Sequence, residues 1–100
     1  MVDAHILAGE AGVCPFGALI AVAWMMARGA GPWYGWSAET TSAVEFVVRY
    51  WYTQPDPTPT ARFCFSAEDL HSPRVAEIVR SRKLLRQYRC AGGLALYIYE

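Results

Sequence analysis

Glu10 is the side chain in this 100-residue chain whose setting best suits acid–base chemistry. It lies in His5-Ile6-Leu7-Ala8-Gly9-Glu10-Ala11-Gly12, a lone carboxylate among apolar and very small residues. In a helix begun at Asp3, Glu10 follows Leu7 by three positions and Ile6 by four, which places it on their inward-facing stripe. Drawing a carboxylate out of water favours its protonated form, and that is how a glutamate serves as a general acid near neutral pH. Gly9, Ala11 and Gly12 leave room beside it. The competing reading is a helix that ends here with Glu10 turned back to water, as most glutamates are.

The other reactive side chains offer less. Cys14, Cys64 and Cys90 have no CxxC spacing and no histidines grouped near them, which argues against a zinc site and against a disulfide framework. Buried free thiols are the expected state. Should one bridge form, Cys64 to Cys90 between two strands is the favoured pairing. No cysteine has a base and an orienting group in evident reach, so a thiol nucleophile ranks last. His5 falls off the face of Glu10, and His71 reads as a loop residue. No metal and no cofactor is expected.

Nine basic and nine acidic residues cancel, so no overall field points to a nucleic-acid partner. The imbalance is local. Arg74, Arg80, Arg82, Lys83, Arg86 and Arg89 are opposed only by Glu77 before the terminal Glu100, a pattern that usually marks a solvated face. The length suits one small domain. The longest apolar run, Phe16 to Ala27, is too short to span a bilayer, so no membrane insertion is expected. The first residues lack the basic and apolar segments of a secretory signal. The expected location is therefore the cytoplasm, or the outside of the cell as a mature or excised domain. The sequence carries no signal of oligomeric state.

The elements that must position Glu10 follow from periodicity. Pro15 suits the first turn of a second helix that runs to about Arg28 and stops at Gly29. Phe16, Leu19, Ile20, Val22, Ala23, Trp24 and Met26 make it apolar nearly all round, the pattern of a buried central helix. Gly29 to Ser37 is a glycine-punctuated loop carrying Trp33, Tyr34 and Trp36, with flat faces suited to sugar rings or to capping the core. Ser42 with Glu45 predicts a capping box for a third helix through Val44, Phe46, Val47, Tyr50 and Trp51. The alternate prolines of Gln54 to Thr60 forbid helix and central strand, giving a stiff surface loop. Arg62 to Ser66 alternates as a strand. Ser72 and Pro73 open a further helix with Val75, Ile78 and Val79 on its buried side. Leu84 to Arg89 and Leu94 to Tyr99 form a hairpin turned on Gly92-Gly93. Helices first and a small antiparallel sheet after make an α+β domain.

Several anchors share their order with a known family. Gly9-Glu10-Ala11, a glycine a few residues on, and Ala21-Val22-Ala23-Trp24 resemble the opening of the cell-wall hydrolase family typified by spore-cortex-lytic enzymes (SleB-type). Asp56-Pro57-Thr58, leading through Ala61 into Phe63 to Phe65, is similar to that family's Asp-Pro-Thr-Gly-Gly-Ala loop and strand. Gly92-Gly93 before Leu96-Tyr97 resembles its closing glycine and aromatic strand. The chain departs from the pattern in three places. Ala27-Arg28 stands for Asn-Arg, Pro59-Thr60 for the glycine pair, and no histidine lies near Leu94.

The resemblance implies a small lysozyme-like domain that cleaves the β-1,4 bond between N-acetylmuramic acid and N-acetylglucosamine in peptidoglycan glycan strands. In the lytic-transglycosylase form one acid suffices, and Glu10 would be that acid. In a two-carboxylate hydrolase, Glu39, Asp56, Glu68 or Asp69 would activate water across the ring. Simpler roles compete for each: a turn at Asp56, solvation or capping at Glu68 and Asp69, a helix start near Glu39. Thr58 and Thr60 on the proline loop would hold acetamido groups, although turn chemistry explains them equally well. Tyr34, Trp36 and Tyr52 would line sugar subsites, with core packing competing evenly for Tyr52. Two other classes remain open: a glycan-binding module using Trp33, Tyr34 and Trp36 without cleavage, and a protein-interaction module docking through exposed aromatics and the basic hairpin.

Overall fold

The computed structural model describes residues 1–100. Helices α1 (Ala4–Ala11), α2 (Phe16–Ala27) and α3 (Ser42–Tyr50) come first. Strand β1 (Phe63–Ser66), helix α4 (Pro73–Val79) and strands β2 (Leu84–Arg89) and β3 (Ala95–Tyr99) follow. The protein is an α+β domain with three antiparallel strands in the order β1-β3-β2. None of its helices is long and apolar enough to cross a membrane.

Helix α2 is the centre of the molecule because it is apolar on every side and must be enclosed on every side. Ala18 to Ala23, Met25 and Met26 are all buried. Leu7 and Ala11 of α1 and Val44 and Val47 of α3 cover one flank. On the other, Ala21 and Met25 meet Ala61 and Ile98. Asp3 caps α1 by accepting the Ile6 N–H at 3.0 Å. Helix α3 is capped by Thr41, whose hydroxyl accepts the Val44 N–H at 3.2 Å, one residue earlier than the expected Ser42. Both types cap well, and the extended backbone at Thr41 makes it the last residue outside the helix. Ser72 occupies the cap position of α4 without a side-chain cap bond. Val75, Ile78 and Val79 are that helix's half-buried positions.

β3 lies between its two partners, with Cys64 opposite Ile98 and Ser66 opposite Leu96. Gly92 and Gly93 turn β2 into β3 at φ of 74° and 75°, the left-handed region that disfavours a side chain.

The cysteine expectation is overturned. Cys14 is bridged to Cys90, and Cys64 is the free thiol. Because β3 separates β1 from β2, those two strands stand about 10 Å apart, beyond the span of a disulfide. Cys90 instead follows β2 where the Ala91 N–H reaches the Val13 carbonyl at 2.8 Å, which brings it to the α1–α2 junction beside Cys14.

Candidate functional site

Glu10 occupies the last turn of α1, half-buried. It does not share the core stripe, since the side chains that α1 buries are Leu7 and Ala11. Glu10 instead faces the aromatic loop. Its Oε1 accepts the backbone N–H of Tyr34 at 3.0 Å and that of Gly35 at 2.5 Å. Oε1 is thereby held as an acceptor, and Oε2 has no protein partner.

Two glycines permit this contact. A Cβ on Gly9 would fall 2.0 Å from the Trp36 nitrogen, and one on Gly35 would fall 2.7 Å from Glu10 Oε1. The space that the small residues around Glu10 leave is thus partly filled, at Gly9, by the loop's own backbone. His5 fixes the far end of the loop. Its ring stacks on Trp36 with centroids 5.3 Å apart, its Nδ1 lies 2.8 Å from the Ser37 carbonyl, and the Ser37 N–H returns a bond to the His5 carbonyl at 3.0 Å. His5 therefore belongs to the site through the loop, which its position relative to Glu10 does not suggest.

Three cavities succeed one another along β1. The one containing Glu10, of about 300 Å³, lies between the end of α1, Ser66, the Cys14–Cys90 bridge and Leu94 to Leu96. The next, of about 440 Å³, lies between Trp33 and Tyr34 of the loop, Phe63 to Phe65, and Val75 and Ile78 of α4. The largest, of about 580 Å³, is lined by Arg28 to Gly31 and by Pro59 to Phe63. Tyr34 joins the first to the second: its N–H holds Glu10 while the residue lines the larger space.

The other residues singled out from the sequence divide accordingly. Tyr34 is well exposed beside Glu10; Trp36 is exposed too, but its ring stacks on His5 and lines none of these cavities, whereas Trp33 packs against the core and donates from Nε1 to the Ala30 carbonyl at 2.6 Å. Thr60 lines the largest cavity and donates to Glu100 Oε2 at 3.1 Å. That cavity meets β1 at Phe63 and the Glu10 cavity meets it at Ser66, so three residue steps along the strand, about 10 Å, separate them. Thr58 is buried within the proline loop, its N–H donating to Asp56 Oδ1 at 3.0 Å, and its hydroxyl has no partner. Tyr52 lies in the short turn Trp51–Thr53, edge-on to Trp51, and lines none of these cavities.

Among the candidate second acids, Asp56 is engaged. Its carboxylate pairs with Arg28, which also donates to the carbonyls of Thr58 at 3.1 Å and Ala61 at 3.2 Å. Glu39 and Glu68 are exposed. Asp69 lines the middle cavity, its Oδ2 accepting the Ser66 N–H at 3.0 Å while the Ser66 hydroxyl accepts the Asp69 N–H at 3.2 Å. Asp69 and Glu10 both act on Cys64. Burial, with smaller contributions from the Glu10 and Asp69 carboxylates, pushes that thiol up to about 12, so Cys64 is a protonated wall residue rather than a nucleophile. No group of three or more His, Cys, Asp or Glu is disposed to hold a metal ion.

These placements give one acid with a fixed and a free oxygen, an aromatic loop clamped to it, and a run of cavities along an adjacent strand. Compared with family models, with curated proteins and with solved structures, the chain matches none.

Proposed function

We propose that the protein cleaves the β-1,4 bond between N-acetylmuramic acid and N-acetylglucosamine of peptidoglycan, as a lytic transglycosylase with Glu10 as its acid and base, on a lysozyme-like domain of the SleB-type cell-wall hydrolase family. The observation that carries this reading is the two-point hold on Glu10 Oε1, which leaves Oε2 free at the edge of an open cavity. Protonated Oε2 donates to the departing glycosidic oxygen as positive charge develops at C1. The resulting carboxylate then takes the proton of the muramic C6 hydroxyl as that oxygen closes on C1, giving a 1,6-anhydro end. A glutamate that changes roles in this way must stay in one place through both steps, and the Tyr34 and Gly35 amides supply that constraint.

The succession of cavities along β1 supports an extended polymer as substrate, and the exposed rings of Tyr34 and Trp36 support sugar stacking beside the acid. Asp69 is the acid best placed to serve a two-carboxylate hydrolase, because it lines the neighbouring cavity and Asp56 is committed to Arg28. The Cys14–Cys90 bridge supports action in an oxidising compartment, at the cell wall rather than in the cytoplasm. Release through a membrane pore or excision from an exported chain would bring the domain there.

The test is digestion of purified peptidoglycan by the wild type and by Glu10→Gln, with soluble products identified by mass spectrometry. Anhydro-muramyl ends from the wild type and at least a roughly thousandfold loss in the variant are expected. Reducing ends would shift the mechanism to the hydrolase, and equal activity in the two proteins would remove Glu10 from the reaction. Retention on insoluble wall without release of sugar, weakened in Trp36→Ala, would make the protein a glycan-binding module.

A further inference from the structure

We infer that the uncovered face of the sheet is a binding site for single-stranded nucleic acid, a function separate from glycan cleavage. Alternation along β3 sends Leu96 and Ile98 into the core, where Ile98 meets Ala21 and Met25 of α2, and so turns Tyr97 and Tyr99 to the opposite face. Residues directly opposite one another in a ladder share a face, which adds Phe63 and Phe65 from β1 and Leu84, Gln87 and Arg89 from β2. Side-chain contacts agree: the Phe63 and Phe65 rings lie nearly parallel at 6.1 Å, Phe65 and Tyr99 lie 6.5 Å apart, and Gln87 Nε2 donates to the Tyr97 hydroxyl at 3.3 Å. The four rings are only half-buried, because the helical core packs on the other side and α4 lies chiefly against the Asp69–His71 turn.

The charge on this face has one sign. Acids and bases cancel over the whole chain, yet β1, β2 and β3 contain no Asp or Glu. Arg82 holds its guanidinium 4.9 Å from the Phe63 ring centroid, and Arg89 stands at the far end of the face, opposite Ala95. The ion pairs of the molecule are Arg28 with Asp56 and Arg80 with Glu77, so Arg82, Lys83, Arg86 and Arg89 have no carboxylate partner. Glu100 follows Tyr99, falls on the other side of the alternation and accepts from the Thr60 hydroxyl.

A ligand for this face needs flat π surfaces for the rings and anionic groups for the guanidinium ions, both repeated along an extended chain. A nucleotide strand supplies one of each per residue. A neutral glycan leaves the arginines without a counter-charge, an acidic peptide leaves the rings without stacking partners, and a second copy of this chain sets like charges against each other. The strand must be single, since a duplex hides the faces of its bases. From Ala95 to Tyr99 the platform runs about 13 Å, room for about two or three bases.

The test is fluorescence anisotropy with a labelled twelve-nucleotide oligothymidylate, an abasic strand of the same length and charge, and a twelve-residue oligoglutamate. Oligothymidylate should bind about fivefold or more tightly than either control, and nuclear magnetic resonance should place its shifts on the amides of residues 63–65, 84–89 and 95–99. Tyr97→Leu should weaken it about fivefold or more and leave the abasic strand unaffected. Arg82→Gln and Arg89→Gln, both at exposed positions, should each reduce the slope of log affinity against log salt by about 0.7. Should Tyr97→Leu fail to fold, the arginine variants carry the test, and unchanged slopes in both would overturn the inference. Equal affinity for the abasic strand would reduce the site to charge alone, and equal affinity for oligoglutamate would assign the face to an acidic protein; either overturns it. Displacement of the oligonucleotide by the tetramer of N-acetylglucosamine, with shifts on the same amides, would overturn it in favour of a glycan surface. Glu10→Gln should bind the strand as the wild type does, so the fate of this site is read separately from that of the proposed acid.

Discussion

Breaking the Cys14–Cys90 bridge should be the most destabilising change available outside the core. The bridge joins residues 76 positions apart, and in the chain-entropy account closing a loop of that length removes about 15 cal/mol/K from the unfolded ensemble. At 25 °C this is about 4.5 kcal/mol. A domain of this size has a total stability of about 5–15 kcal/mol, so the bridge represents between a third and nearly all of it. In a chain of 60–100 residues each kcal/mol moves the melting temperature by about 4–8 °C, and a loss of roughly 20 °C or more is therefore expected.

Thermal melts of the wild type, of the wild type with a thiol reductant and of the Cys14→Ser/Cys90→Ser protein, followed by circular dichroism, measure this directly. Urea titration of the same three samples gives the free energy. The reduced and double-serine samples should agree with one another and fall together below the oxidised protein. A decrease under about 5 °C would refute the reasoning, because it would mean that the unfolded chain is already held in a comparable loop or that the bridge strains the native state. A site effect should accompany the stability effect even at temperatures where the reduced protein stays folded. Both sulfur-bearing residues line the Glu10 cavity, and the Val13–Ala91 hydrogen bond beside them is the other tie across that wall. Cleavage of peptidoglycan should accordingly fall on reduction before the circular dichroism signal does.

Three further outcomes follow from the geometry. Gly9→Ala should detach the aromatic loop from α1, because its methyl would overlap the Trp36 backbone; faster hydrogen exchange at Tyr34 and Gly35 would report it, with helical signal unchanged. Arg28→Ala should cost about 1–3 kcal/mol in urea titration, since it leaves the Asp56 carboxylate and the Thr58 and Ala61 carbonyls without their donor. Cys64 titrates near 12 when folded and near 9.0 as an ordinary thiol, so its contribution to stability is complete below pH 9 and is lost as pH rises from 9 towards 12, at up to about 1.4 kcal/mol per pH unit. Comparing denaturation midpoints of the wild type and Cys64→Ala from pH 8 to 11 isolates that slope, and parallel curves would contradict it.

The architecture was legible because it is written in side-chain periodicity. An apolar α2, an alternating β1 and β3 and a Gly-Gly turn each specify their own element, and together they leave one arrangement of layers. The surroundings of Glu10 were less legible because they are made by backbone. Its partners are the amides of Tyr34 and Gly35, groups that every non-proline residue carries, and the signal for them is the pair of glycines, Gly9 and Gly35, whose missing side chains allow the approach. Spacing placed Glu10 on the inward stripe, whereas α1 ends within a residue of it, and a helix of eight residues turns too few times to bury more than Leu7 and Ala11. The disulfide was misread for a different reason. Pairing Cys64 with Cys90 assumed adjacent strands, and strand order is a tertiary fact: the last strand enters the middle of the sheet and separates the two.

The same strand order explains why three separate ties converge on one end of the molecule. With β3 in the centre, β2 has a free edge, and its far end would be held only by the turn through Gly92 and Gly93. The Cys14–Cys90 bridge and the Val13–Ala91 hydrogen bond fasten that end to the α1–α2 junction. The junction is also where Glu10 leaves α1, so fastening the sheet builds one wall of the acid's cavity. The aromatic loop packs over Gly9 on α1, held by His5 and by Glu10 itself. Glu10 thus fastens the aromatic loop, and in the proposed reaction it would also be the acid. If that double role holds, Glu10→Gln should lose cleavage while keeping the loop protected from hydrogen exchange, and Glu10→Ala should lose both.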